Sequence, residues 1–303
     1  MPELDLVTGA FSYTGSFIAR RLLDNRRRVR TLTRRDDPAS PLHGKVETAP
    51  LQFADRARLV ESLRGARCLY NTYWVRFERG GTTFERAVRN SAVLFAAAAE
   101  AGVERIVHLS VTNPSLDSAL PYFRGKALVE RELAACGVAY AVVRPTLVFG
   151  PRDILVNNIA WILRRFPVFV VPGDGTCRVQ PVSAEDVAEI AVNGTGTVDA
   201  AGPETYTFDE LVGFVAAAVG RPRALVHMRP RLALALGRAV GASHRDVVLT
   251  AEEAAGLQAN LLVSTEPPRG RASFREWLQR AGSTLGRRYV SELARNFRGY
   301  APL

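Results

Sequence analysis

A short apolar run, Leu4-Asp5-Leu6-Val7, ends in Thr8-Gly9, and a second glycine follows at Gly15. Beyond it Phe17, Ile18, Leu22 and Leu23 recur at helical spacing. Strand, glycine turn and helix, in that order at the start of the sequence, constrain the fold more than any other feature. Gly9 lets the backbone turn sharply out of the strand, and Gly15 lets the helix pack close to the sheet. A helix that begins at such a turn offers unbonded N–H groups and a positive dipole end, which together suit a phosphate.

The spacing Gly9-x-x-Ser12-x-x-Gly15 departs from the three-glycine dinucleotide fingerprint at its middle position. Ser12 adds a small side chain where backbone would approach phosphate, and its hydroxyl can bond an oxyanion. A glycine-punctuated turn with no ligand gives the same pattern, so the rest of the chain has to decide. If a dinucleotide binds, Gly9, Ser12, Tyr13, Thr14 and Gly15 cradle its pyrophosphate. Arg28 to Thr33 reads as a second strand by alternation and β-branching, and Arg34-Arg35-Asp36-Asp37 follows it. An acidic residue here suits the ribose hydroxyl of NAD, and arginine suits the 2′-phosphate of NADP. Arg34 and Arg35 come first, which favours NADP(H). Asp36 and Asp37 keep NAD(H) open, and a solvated charge cluster is the plain alternative.

Further strands are expected at Val46 to Leu51, Cys68 to Tyr73, Arg105 to Ser110 and Ala139 to Arg144. Helices are expected at Asp55 to Leu63, Thr83 to Ala101 and Pro121 to Ala135. That alternation predicts an α/β protein with a Rossmann-type, doubly wound parallel sheet. Ligands of such sheets sit beyond the C-terminal strand ends, which makes Trp74 and Arg76 candidate substrate-pocket residues. An aromatic packed on a loop is the competing reading. After about residue 150 the pattern changes to a helix at Ile154 to Arg165, a strand at Val168 to Val171, and a strand and helix at Val179 to Val192. From about Gly202 the chain reads as mostly helical, with capping boxes at Thr250-x-x-Glu253 and Ser273-x-x-Glu276. The expected division is a first domain over 1–150, re-entered at about 179–195. A smaller, mostly helical C-terminal substrate domain would comprise 151–178 and 196–303. Arg231 to Val240 is basic and apolar, and is read as a packed core helix in preference to a membrane-surface one.

Composition removes several function classes. The formal net charge is +10, but the basic residues are spread along the chain, without the clustered aromatics of a nucleic-acid interface. Cys68, Cys136 and Cys177 lie far apart, without metal-ligand spacing, so no metal site is expected and a reducing compartment is. No apolar run approaches the length of a membrane span, and the first strand begins too early for a signal peptide. A cytoplasmic protein with a small-molecule substrate is the expectation.

Tyr122-x-x-x-Lys126 opens the helix after the Arg105 to Ser110 strand. An i, i+4 pair shares a helix face, so the ammonium can sit near the phenol and lower its pKa from about 10. Tyrosine then serves as an acid or base near neutrality. Of 40 Lys and Arg residues only Lys45 and Lys126 are lysine, so a compact, tunable cation stands here in a chain that otherwise uses arginine. Ser110 ends its strand at the same rim of the sheet, twelve residues before Tyr122.

Together, Gly9-x-x-Ser12-x-x-Gly15, Ser110 and Tyr122-x-x-x-Lys126 resemble the extended or atypical short-chain dehydrogenase/reductase superfamily, the NAD-dependent epimerase/dehydratase type. Asn90, the Arg144-Pro145-x-x-Val148-Phe149-Gly150-Pro151 segment and Gln180-Pro181-Val182 with Glu185-Asp186-Val187-Ala188 add to the likeness, which covers about residues 4 to 195. The Ser110-to-Tyr122 spacing is most similar to the atypical subgroup that contains the nucleotide-binding accessory subunit of respiratory complex I. The resemblance implies that Tyr122 is the acid/base, that Lys126 tunes it and holds the nicotinamide ribose, and that Ser110 anchors substrate. It also makes Thr112 a weaker anchor, Asn90 a supporting residue and Pro145 a neighbour of the cofactor. Hydride would move to or from nicotinamide C4 in an oxidoreductase or epimerase. Bulky Tyr73-Trp74-Val75-Arg76 stands where the family often has small residues, which keeps open a non-catalytic NADP(H)-holding or redox-sensing protein. Many members pair through helices flanking the sheet, which leaves a homodimer open.

Overall fold

The computed structural model describes residues 3–33 and 37–297. In chain order the elements are β1 (Leu4–Thr8), α1 (Tyr13–Asp24), β2 (Arg28–Thr33), β3 (Glu47–Pro50), α2 (Arg56–Leu63), β4 (Ala66–Asn71), α3 (Phe84–Glu100), β5 (Arg105–Leu109), α4 (Pro121–Ala134) and β6 (Ala139–Pro145). There follow β7 (Leu147–Phe149), α5 (Ile154–Arg165), β8 (Val168–Pro172), β9 (Arg178–Val179), β10 (Pro181–Ser183), α6 (Ala184–Asn193) and β11 (Gly196–Ala200). The chain continues through β12 (Tyr206–Thr207), α7 (Phe208–Ala218), β13 (Ala224–Met228), α8 (Pro230–His244), α9 (Ala251–Gln258) and α10 (Phe274–Ala281), and then a π-helical turn at Leu293–Phe297. The described residues form two compact units: 3–33 and 37–145 with 184–200, and 146–183 with 201–297.

In the first unit the described residues form a seven-stranded sheet in the order β11-β6-β5-β4-β1-β2-β3, with every pairing parallel. This is the Rossmann-type doubly wound arrangement. Leu6, Leu32, Leu69, Ile106 and Val142, one from each of five adjacent strands, are buried against Leu59, Leu63, Leu94, Phe95 and Leu133 of α2, α3 and α4. Each such side chain contributes roughly 1.5–3 kcal/mol by leaving water. Helices α1 and α6 pack on each other. β1 also buries one charged residue, on the sheet face opposite Leu4 and Leu6: Asp5 is fully buried and held by the Arg27 guanidinium, Nε to Oδ2 at 2.9 Å and Nη2 to Oδ1 at 3.3 Å. Residues 196–200, left outside the sheet domain by the sequence reading, form its edge strand: Gly196-Thr197-Val198-Asp199-Ala200 is too short and too weakly patterned to be read as one.

The second unit has its own core, in which Ile159, Leu163, Phe169, Leu211, Val215, Phe274 and Leu278 are buried together. Its described residues form three two-stranded pairs: β7 with β10 and β8 with β13, both parallel, and β9 with β12, antiparallel. The box at Thr250 and Glu253 forms in both directions, and Thr207 with Glu210 makes another at the start of α7. At Ser273 only half of the expected box forms: its oxygen accepts from Glu276 N, while Glu204 accepts from the Ser273 hydroxyl at 2.8 Å and from Phe274 N at 3.0 Å. α8 corrects the sequence reading. It is not a core helix: only Ala233 and Gly241 are buried, and Leu232 and Leu236 are 57% and 46% exposed.

Candidate functional site

The candidate site residues belong to the first unit. Gly9 adopts φ +72°, a left-handed conformation that side chains resist, and Ser12 N then donates to Gly9 O at 2.8 Å to close the turn. A Cβ on Gly15 would lie 2.2 Å from Gly9 O, so α1 can start against this turn only with glycine there. Ser12 is the N-cap of α1, and its exposed side chain makes no capping hydrogen bond. Its hydroxyl stands at the N-terminal end of α1, the end whose dipole favours an anion. Tyr13 stands in the first turn, its ring edge-on to Phe17 at 5.6 Å. Arg34 and Arg35 lie outside the described residues.

The ends of β1, β4 and β5 are joined by side chains that sequence reasoning missed. Thr8 Oγ1 accepts from Thr72 N at 2.7 Å and Tyr73 N at 3.1 Å, and donates to Asn71 Oδ1 at 3.1 Å; the Thr72 hydroxyl donates to Thr8 O. Asn71 Oδ1 also accepts from Tyr73 N, which turns its amide Nδ2 toward His108 Nδ1 at 3.1 Å. His108 therefore accepts at Nδ1 and carries its proton on Nε2. Burial, and then the nearby charge of Lys126, push its pKa well down, so the ring is neutral. The only signal in the sequence was polar residues at three strand ends, which periodicity does not interpret.

Ser110 follows β5. Its N–H donates to Val143 O at 2.8 Å, and its hydroxyl is buried without a hydrogen-bond partner among the described residues. Lys126 is also buried. Its Nζ donates to Leu109 O at 2.9 Å and faces the Trp74 ring 4.8 Å from the centroid. Burial depresses its pKa to about 7, against the pull of Glu130 one turn on. Tyr122, one turn before Lys126, meets Trp74, Phe84 and Phe123 edge-on at 5.9, 5.8 and 5.4 Å. Trp74 stacks on Phe84 at 5.8 Å, and its Cη2 lies 2.9 Å from where a Cβ on Gly125 would be, so Gly125 is what admits the indole to this face of α4.

Other candidates are engaged elsewhere. Asn90 donates from Nδ2 to the Tyr73 hydroxyl at 2.8 Å. The fully buried Thr112 donates its hydroxyl proton to Asp199 Oδ2 at 2.9 Å, and Pro145 O accepts from Thr112 N at 3.0 Å. Arg76 lies against the Phe77 ring at 5.8 Å.

A parallel α/β sheet with a glycine turn capped by a helix N-terminus, and a buried lysine at its rim, defines a protein of the Rossmann class. The chain belongs to the NAD dependent epimerase/dehydratase family, whose model matches residues 6–206. It is 37% identical over 115 residues to mitochondrial NADH dehydrogenase (ubiquinone) 1 alpha subcomplex subunit 9 of Mus musculus, covering 37% of this chain and 29% of that protein. The matches span 29%, 33% and 55% of the mouse, Rattus norvegicus and Arabidopsis thaliana forms of that subunit. Sterol demethylase protein B of Methylococcus capsulatus is 26% identical over 255 residues, covering 75% of this chain and 78% of that one. The fold is similar to that of the Escherichia coli NADPH-dependent quinone oxidoreductase QOR2, with a TM-score of 0.73 and 17% identity over 92% of this chain and 98% of that one. Among the described residues no helix is long and apolar enough to cross a membrane.

Proposed function

We propose that this chain binds a nicotinamide dinucleotide at the Gly9–Gly15 turn and acts as an oxidoreductase or epimerase on a small carbonyl or hydroxyl compound. The observation that carries this reading is the pair of polar groups that are under-bonded in the interior among the described residues: the Ser110 hydroxyl without a partner, and the Lys126 ammonium with one acceptor, Leu109 O. Burying such groups unpaired costs about 1–3 kcal/mol each, a cost that a hydroxyl-bearing ligand would offset. The Gly9–Gly15 turn and the unbonded Ser12 hydroxyl fit the pyrophosphate of the same ligand.

When bound, the dinucleotide would supply or accept a hydride at nicotinamide C4. Lys126 would donate to the ribose hydroxyls and stabilise the Tyr122 phenolate. Tyr122 would give a proton to the substrate oxygen, or take one from it, and Ser110 would donate to that same oxygen. NADP(H) is preferred on the ground that Arg34 and Arg35 follow β2 in the sequence.

A second reading rests on Trp74. Its indole covers Lys126 and borders Tyr122, which suits a protein that holds the dinucleotide without turning over substrate. The mitochondrial relatives are by name subunits of a larger enzyme, in keeping with such a role. NADPH and NADH titrations, followed by a carbonyl and nucleotide-sugar panel read at the nicotinamide absorbance, separate the two. Binding with turnover supports the enzyme, binding without turnover supports the holder, and no binding removes both.

A further inference from the structure

Helix α8 is largely exposed. Its buried side is small, Ala233 and Gly241, with Leu234, Gly237, Val240 and His244 partly covered. The opposite side exposes Leu232, Ala235, Leu236 and Ala239, which recur at i, i+3, i+4 and i+7 and form one apolar stripe. Arg231 and Arg238, seven residues apart, run along one edge of that stripe and are exposed. Residues 211–245 contain six arginines, at 221, 223, 229, 231, 238 and 245, and no Asp or Glu. Asp246, the next acid along the chain, accepts from the Tyr289 hydroxyl at 2.6 Å and from Glu292 N and Leu293 N at 3.1 and 3.0 Å. It is thereby turned to other work than neutralising the arginines. At the far end of α8, the Trp161 ring lies 4.8 Å from His244 and 6.0 Å from the exposed Phe166.

We infer that α8 docks this chain on an anionic phospholipid surface, with Leu232 and Leu236 entering the interface and Arg231 and Arg238 meeting the headgroups. Charge decides the partner: the stripe is edged by Arg231 and Arg238, and α8 itself carries no carboxylate, so the helix repels another copy of itself and fits a negative surface. The leucines decide between kinds of negative surface. Nucleic acid gives exposed aliphatic stripes nothing to enter, whereas the headgroup–acyl boundary does. α8 has 15 residues, too few to cross a bilayer, so it would lie in the plane of the surface.

The test is co-sedimentation of the full chain with phosphatidylcholine vesicles, with and without phosphatidylglycerol. The expected result is binding to the mixed vesicles, at least about tenfold weaker binding to pure phosphatidylcholine, and weakening by added salt. Leu232→Ser with Leu236→Ser, which leaves every charge in place, should reduce binding about tenfold or more, as should Arg231→Gln with Arg238→Gln. Both double variants should keep the native melting temperature, because these side chains are exposed. A single Leu232→Trp variant should shift its emission to the blue on mixed vesicles and be quenched by lipid-borne quenchers. Absence of vesicle binding by the unaltered chain would overturn the inference. So would full binding by the double serine variant, which would make the attraction purely electrostatic. Self-association or duplex DNA binding that is lost on the serine substitutions, with no vesicle binding, would overturn it in favour of those partners.

Discussion

The Nζ of Lys126 lies 4.8 Å from the centre of the Trp74 indole ring, which stacks in turn on Phe84. The cation is thus surrounded by an aromatic face, the Leu109 carbonyl and the core, and its pKa falls to about 7. Cation–π attraction offsets only part of that burial.

The stability consequence has a definite sign. The native chain releases the Lys126 proton near pH 7, and the unfolded chain keeps it until about 10.5. Between those values the unfolded state binds more protons, so this group makes stability rise with pH. Lys126→Met should therefore melt higher than the unaltered chain at pH 6, by ~2–4 °C for each kcal/mol recovered. The difference should shrink toward pH 10. Melting curves of both proteins across that range check it, and a difference that grows with pH contradicts it.

Ser110→Ala should separate fold from function. The hydroxyl is buried and has no partner among the described residues, so removing it should raise stability, by up to about 1–3 kcal/mol, and should not lower it. If the hydroxyl anchors the substrate oxygen, turnover should fall by ~10²-fold. Denaturant titration and steady-state kinetics measure the two independently.

Gly15→Ala places a methyl group 2.2 Å from the Gly9 carbonyl oxygen, a backbone atom that cannot rotate away. The turn must open, at a cost of about 1–3 kcal/mol. Dinucleotide affinity should fall at least tenfold, by calorimetric titration, while Gly213→Ala, where an added Cβ meets nothing within 4 Å, serves as the control.

Arg34→Ala should remove most of a preference for NADPH over NADH, because a charge-assisted bond to phosphate contributes about 1.5–3 kcal/mol. Equal affinities for both dinucleotides in the unaltered chain would assign the arginines to a solvated face.

The sheet was legible because β1, β2, β4, β5 and β6 carry β-branched or apolar runs, separated by helices with clear apolar spacing and by Gly9, Gly102 and Gly137. The Gly9–Gly15 turn, and the placing of Tyr122 and Lys126 one turn apart on α4, were legible because local spacing sets that geometry. The Thr8–Asn71–His108 linkage was not, because it joins residues 63 and 37 positions apart. Nor was the commitment of Asn90 to Tyr73 and of Thr112 to Asp199, which depends on partners across elements. β11 escaped because an edge strand of five residues needs only a neighbour to pair with. α8 was misread because apolar composition does not say which side of a helix the fold covers.

Tyr122→Phe tests the proposed chemistry most directly. It removes one oxygen and leaves the ring between Trp74, Phe84 and Phe123, so packing should survive. With any substrate the chain accepts, the rate should fall by ~10²–10⁴-fold while NADPH affinity stays within about twofold. A substrate turned over at an undiminished rate by Tyr122→Phe would contradict the assignment of Tyr122 as the acid/base.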